Sequence, residues 1–86
     1  MITARQTRAA RALLGWMQET LAEKALVSLT ALKRLESESD IKVYESTRDQ
    51  VRRTLEGSGI VFMTSDQGEG VMIVQRDAQS PPKRVR

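Results

Sequence analysis

Thr30 stands three residues before Lys33 and four before Arg34 in the stretch "SLTALKRLE", a spacing that places all three on one side of a helix. Their common chemistry is hydrogen bonding to an acceptor outside the chain. Lys33 and Arg34 carry only N–H donors, while Thr30 can donate or accept. Leu29 beside them adds an apolar surface. Catalysis has few candidates to set against this. The chain has no His and no Cys, which removes imidazole bases, thiolate nucleophiles, disulfides and zinc sites built on those ligands. Its carboxylates are scattered over amphipathic segments, and "GEG" at 68–70 lacks the Lys and the following helix of a phosphate loop. No enzyme, cofactor or metal site is expected.

The helix that must carry these residues starts at Ser28, whose hydroxyl can accept the amide of Thr30 or Ala31. Val27 and Leu32 are spaced to staple across that start. Ala31, Leu32 and Leu35 then fall on one arc, and Thr30, Lys33, Arg34 and Ser37 fall opposite. The first helix is announced by Thr3 and Gln6, the pair of a capping box. Ala9, Ala10, Leu13 and Leu14 recur at helical spacing and are predicted to face a core, with Arg5, Arg8 and Arg11 as a second stripe. Gly15, at home in left-handed geometry, ends that helix. A second short helix fits from Gln18 to Ala25, with Leu21, Ala22 and Ala25 inward. Met17 is a poor N-cap for it, and Trp16, a core residue by its size, stands at staple spacing from Leu21.

Residues 37–45 show no period and read as a loop, with Ile41 and Val43 against the core. Ser46 and Asp49 have the spacing of another capping box, Val51 and Leu55 face inward, and "EGSG" closes a fourth helix. Two β-rich runs, Ile60 to Met63 and Val71 to Gln75, then flank a seven-residue polar turn and signal a hairpin. Both of its faces are apolar, because Ile60 and Phe62 alternate with Val61 and Met63, and Val71 and Ile73 with Met72 and Val74. The helices can cover only one face, so Val61, Met63, Met72 and Val74 are candidates for a dimer interface. The predicted fold is mainly α: a helix-turn-helix bundle of four short helices over residues 1–59, a hairpin over 60–76, and a flexible basic tail over 77–86.

At 86 residues the core is thin, and association with a partner often supplements a domain of this size. The net charge of +3 is unevenly spread. Residues 1–34 hold six basic and two acidic side chains, residues 35–75 four and eight, and residues 76–86 four and one. A positive field on the first segments and the tail suits docking on phosphate, where neutralisation releases counterions. No apolar run approaches the ~20 residues that span a bilayer, and no signal-peptide order opens the chain. A cytoplasmic protein without a membrane partner is expected.

Taken as a unit, "GWMQETLAEKALVSLTALKRLE" resembles the phage-repressor-like (XRE-type, Cro/CI-like) helix-turn-helix family. Gly15, Gln18, Leu21, Ala22, Val27, Ser28, Leu32 and Glu36 match its pattern in register. Three positions depart from it: Met17 replaces the usual Ser or Thr cap, Leu26 the turn Gly, and Ser37 the Gly after Glu36. The left-handed geometry expected at Leu26 costs a non-Gly residue about 1 kcal/mol or more. The resemblance implies that the helix from Ser28 enters the major groove, with Leu29, Thr30, Lys33 and Arg34 at base edges and Gln18, Ser28 and Lys42 at phosphates. It also implies that Arg11 pairs internally with Glu36.

The function expected is that of a sequence-specific double-stranded DNA-binding transcriptional regulator, a repressor acting as a homodimer on a near-palindromic operator. The alternative is an antitoxin-like or adaptor protein whose hairpin takes another protein by strand addition, with DNA binding secondary.

Overall fold

The computed structural model describes residues 2–37 and 43–74, and in them four helices precede one hairpin. These are α1 (Ala4–Leu14), α2 (Gln18–Ala25), α3 (Leu29–Glu36), α4 (Glu45–Gly57), β1 (Ile60–Ser65) and β2 (Gly68–Ile73). The mainly α fold with a C-terminal hairpin is the one expected. Ile41, Lys42, Gln75 and the basic tail lie outside the described residues. Among the described residues, no helix is long and apolar enough to cross a membrane.

The helix ends follow their local chemistry. At α1 both halves of the capping box form: Thr3 Oγ1 accepts from the Gln6 amide and Gln6 Oε1 accepts from the Thr3 amide, each at 3.1 Å. Gly15 closes α1 in the left-handed region at φ 71°. Met17 gives α2 no side-chain cap, and Leu26 ends it at φ 60°, ψ 41°, the left-handed conformation that the turn demands. Ser28 caps α3 by accepting the Ala31 amide at 3.0 Å. Ser37 follows α3 in extended geometry at φ −86°, so no glycine is needed there.

Leu21, Leu32, Leu35, Val51 and Leu55 are almost fully enclosed and hold α2, α3 and α4 around one core, each such side chain contributing about 1.5–3 kcal/mol when buried. Trp16, Val27 and Val43 pack on its edge. The buried side of α1 differs from the expected one. Ala10 and Leu14 do face inward, but Ala9 and Leu13 are exposed and Gln6 and Thr7 are buried in their place. The hairpin packs against α1 and supplies the partners of Gln6, while Thr7 finds its own at the start of α1. Gln6 Nε2 donates to the carbonyls of Met63 and Gly70, at 3.0 Å each. Thr7 Oγ1 donates to the Thr3 carbonyl at 2.9 Å. A buried polar group is tolerated when its hydrogen bonds are made.

Two further expectations are corrected. The fourth helix begins one residue before Ser46, behind Tyr44 without a side-chain cap. Asp49, expected in a capping box, instead pairs with Arg52 and Arg53 on the same helix. The hairpin turn is two residues, Asp66 and Gln67, not seven. The strands pair antiparallel from Ile60 opposite Ile73 to Ser65 opposite Gly68. Thr64, Ser65 and Glu69 read as turn by composition, yet Ser65 Oγ accepts the Gln67 amide at 3.1 Å. Glu69 reaches α1, its carboxylate accepting from Thr3 Oγ1 and Arg5 Nε.

Leu26 is the only non-glycine residue with positive φ among the described residues, and its side chain is 82% exposed. Little burial is therefore lost by removing it. Leu26→Gly is expected to stabilise the fold by about 0.5–1 kcal/mol, the relief of left-handed strain offset in part by the greater freedom of the unfolded chain. A urea titration checks this: the midpoint rises and the slope stays the same.

Candidate nucleic-acid interface

The helix α3 is two-sided. Leu32, Leu35 and Glu36 are buried, while Thr30, Lys33 and Arg34 point away from the protein and are exposed. Neither Lys33 nor Arg34 has an ion-pair partner among the described residues. Ser28 is exposed at the start of the helix. Its oxygen is used by the Ala31 amide, which leaves the hydroxyl proton free to donate outward. Leu29 is half-buried and packs on the core, so only part of its surface faces the same side. Lys42 lies outside the described residues.

What fixes the orientation of α3 is the carboxylate of Glu36, of which 3% is exposed. Arg11 grips it with two parallel bonds, Nε to Oε2 and Nη2 to Oε1, both 2.8 Å, the bidentate geometry that makes such pairs strong and directional. Gln18 Nε2 adds a third donor to Oε1 at 3.0 Å. Arg11 Nη1 also reaches the Trp16 carbonyl at 3.2 Å, and Arg8 donates to the main-chain carbonyl of Glu36. One carboxylate thus ties α1, α2 and α3 together. The hydrogen bond to Glu36 raises the Arg11 pKa above its ordinary value, against the opposing pull of partial burial. Gln18, expected at phosphate, has one amide hydrogen committed to this cluster. Its other N–H and its carbonyl remain for any contact outside.

Beside α3 runs a groove of about 370 Å³, floored by Val27, Ala31 and Val43. Thr30 and Arg34 form one wall; Tyr44, just ahead of α4, and Thr47 and Gln50 on it form the other. Tyr44 is 82% exposed. The structure thus brings Ser28, Thr30 and Arg34 to one groove, whereas Lys33 lies outside its lining. The α4 wall was not singled out from the sequence. Its signal is a set of residues at 44, 47 and 50, three apart, that runs along the edge of the face on which Val51 and Leu55 are buried. Trp16 is half-buried with the Lys24 ammonium 5.2 Å from its ring centroid, a cation–π contact that keeps one cation within the protein's own surface.

The second expected surface is on the hairpin. Ile60, Phe62, Val71 and Ile73 turn toward the helices, and Val61, Met63 and Met72 lie exposed on the other face. Val74 is half-buried, its amide donating to the Gly59 carbonyl at 2.7 Å. No protein-family model matches the chain, and no curated protein matches it either.

Removing either partner of the Arg11–Glu36 pair strands a charge inside the protein. Glu36→Ala is expected to destabilise the fold by about 3 kcal/mol or more, and Arg11→Ala by a similar amount. The double variant should cost well under their sum, with a coupling of about 2 kcal/mol. Urea unfolding of the four proteins in the cycle measures it.

Proposed function

We propose that this chain is a sequence-specific double-stranded DNA-binding regulator of transcription, a repressor of the XRE-type helix-turn-helix kind that its residues 15–36 resemble, acting as a homodimer. One observation carries the reading: α3 is locked on its inner side by the Glu36 cluster and exposes Thr30, Lys33 and Arg34 on its outer side, where neither cation has an ion-pair partner among the described residues. An exposed helix with free cations is common. An exposed helix whose cations lie opposite a buried three-donor clamp is held rigidly enough to read base edges, since base recognition depends on accurate placement of a few donors.

In this reading Arg34, Lys33 and Thr30 face bases in the major groove, with the exposed part of Leu29 beside them. Ser28 and Lys42, and Gln18 through its uncommitted amide atoms, meet phosphates. The groove wall of Tyr44, Thr47 and Gln50 stands on the same side, where it widens the contact. A two-fold dimer joined at the hairpins sets two copies of α3 about 34 Å apart, one turn of B-DNA, and favours a near-palindromic site.

Selection of bound duplexes from a random-sequence pool tests the proposal, followed by competition assays on the sequence obtained. Arg34→Ala should weaken binding by about 1–3 kcal/mol and relax the preference at one base position. Lys42→Ala should weaken all sequences alike and flatten the salt dependence. Arg34→Ala binding the selected duplex as tightly and as selectively as the parent would overturn the assignment of α3.

A further inference from the structure

We propose that the groove between α3 and α4 is the site of a small effector, an organic anion with an aromatic body and one carboxylate, and that its occupation withdraws Arg34 from DNA. The regulatory half of this inference rests on the DNA-binding reading above; the binding site does not. The groove measures about 370 Å³, in the size range of small-molecule sites. From Ser28 to Arg34 it follows α3 for about 9 Å. That is the length of a two-ring molecule.

Charge selects the sign of the ligand. Among the described residues, Arg34 is the only charged side chain in the groove's lining, and no carboxylate faces it there. Every other described cation except Lys33 is occupied. Arg5 is held by Glu69, Arg11 by Glu36, and Arg52 and Arg53 by acids of α4. Arg8 and Arg48 donate to main-chain carbonyls, and Lys24 sits over the Trp16 ring. The guanidinium of Arg34 presents its donors as a fork, which a carboxylate fills with two parallel bonds.

The rest of the lining selects the body of the ligand. Val27, Ala31 and Val43 form an apolar floor, from which a hydrated inorganic anion gains nothing. Tyr44 stands 82% exposed at the rim, with a ring able to lie against an aromatic one. The hydroxyls of Thr30, Tyr44 and Thr47 and the side-chain amide of Gln50 have no hydrogen-bond partner among the described residues. They are open to the polar edge of a ligand. An apolar floor with a few convergent polar groups and one charge is the usual composition of a small-molecule site.

Occupation bears on DNA through the side chain the two ligands share. Arg34 does not bond a carboxylate in the groove and a base edge at the same time, and Thr30 lines the same groove. The effector therefore competes with the duplex. Apparent DNA affinity falls by one plus the ratio of ligand concentration to its Kd, about tenfold at ten times the Kd.

The probe is 2-naphthoate, with 2-naphthalenemethanol as its uncharged counterpart and acetate as the same charge without the body. Calorimetry on the full chain without DNA should give naphthoate a Kd on the order of 0.1–1 mM. Amide NMR shifts should centre on Ala31, Arg34 and Thr47. The alcohol should bind about tenfold more weakly, and acetate should not bind. Arg34→Gln should lose about tenfold in naphthoate affinity. Lys33→Gln removes the same charge just outside the lining and should bind naphthoate like the parent. On a duplex selected from a random pool, naphthoate at ten times its Kd should weaken binding about tenfold relative to acetate at the same concentration, which matches the ionic strength. No naphthoate binding at about 10 mM, an alcohol that binds as tightly, an Arg34→Gln that binds like the parent, or shifts centred elsewhere would overturn the site and leave DNA binding intact. Naphthoate that fills the groove without changing duplex affinity would overturn the regulatory role. If no duplex is selected at all, the DNA-binding reading and the regulatory role fail together, and calorimetry still decides the site.

Discussion

Everything on the outer side of α3 depends on a carboxylate on its inner side. Glu36 is the last residue of α3, and a buried anion there is opposed both by desolvation and by the negative end of the helix dipole. Arg11 answers both effects at once. Its guanidinium supplies the compensating charge from α1, and its two bonds to the carboxylate fix an angle as well as a distance. With Gln18 as a third donor from α2, α3 has little freedom to roll about its own axis. A roll of one residue, about 100°, would carry Lys33 and Arg34 off the outer face and break all three bonds together.

The hairpin uses the same strategy with neutral groups. Gln6 lies inside the capping box of α1, accepting from Thr3, while its amide nitrogen bonds one carbonyl on each strand. A slip of the strands by one residue would turn every outward side chain inward, and the two carbonyls held by Gln6 oppose that slip. Polar cross-links thus set the orientation of both surfaces that face away from the core, while leucine and valine hold the core itself.

Much of this was legible in the sequence because it is periodic. Ser28, Leu32 and Leu35 announce the start of α3 and its inner side, and the alternation at 60–63 and 71–74 announces a two-faced hairpin. The inner side of α1 was not legible. Gln6 and Thr7 are polar, so a hydrophobic period cannot mark them; Gln6 bonds carbonyls 57 and 64 positions away, and Thr7 bonds the Thr3 carbonyl one turn back. The turn length was hidden similarly, since Thr64, Ser65 and Glu69 have the composition of a loop and enter strands because of what they bond. The Arg11–Glu36 pair, 25 residues apart, follows from no local spacing; the resemblance to a known family implied it. The α4 wall of the groove was overlooked because Tyr44, Thr47 and Gln50 look like an ordinary solvated stripe until α3 is set beside them.

The long reach of Gln6 also bears on how the chain is made. Synthesis delivers α1 first and the hairpin last, so a nascent chain carries the Gln6 amide without its native acceptors until Gly70 has left the ribosome. The docking of the hairpin on α1 therefore follows the emergence of all four helices in vectorial folding. Any product cut short within the hairpin leaves the Gln6 amide to water and loses the cross-link that fixes the hairpin on the first helix.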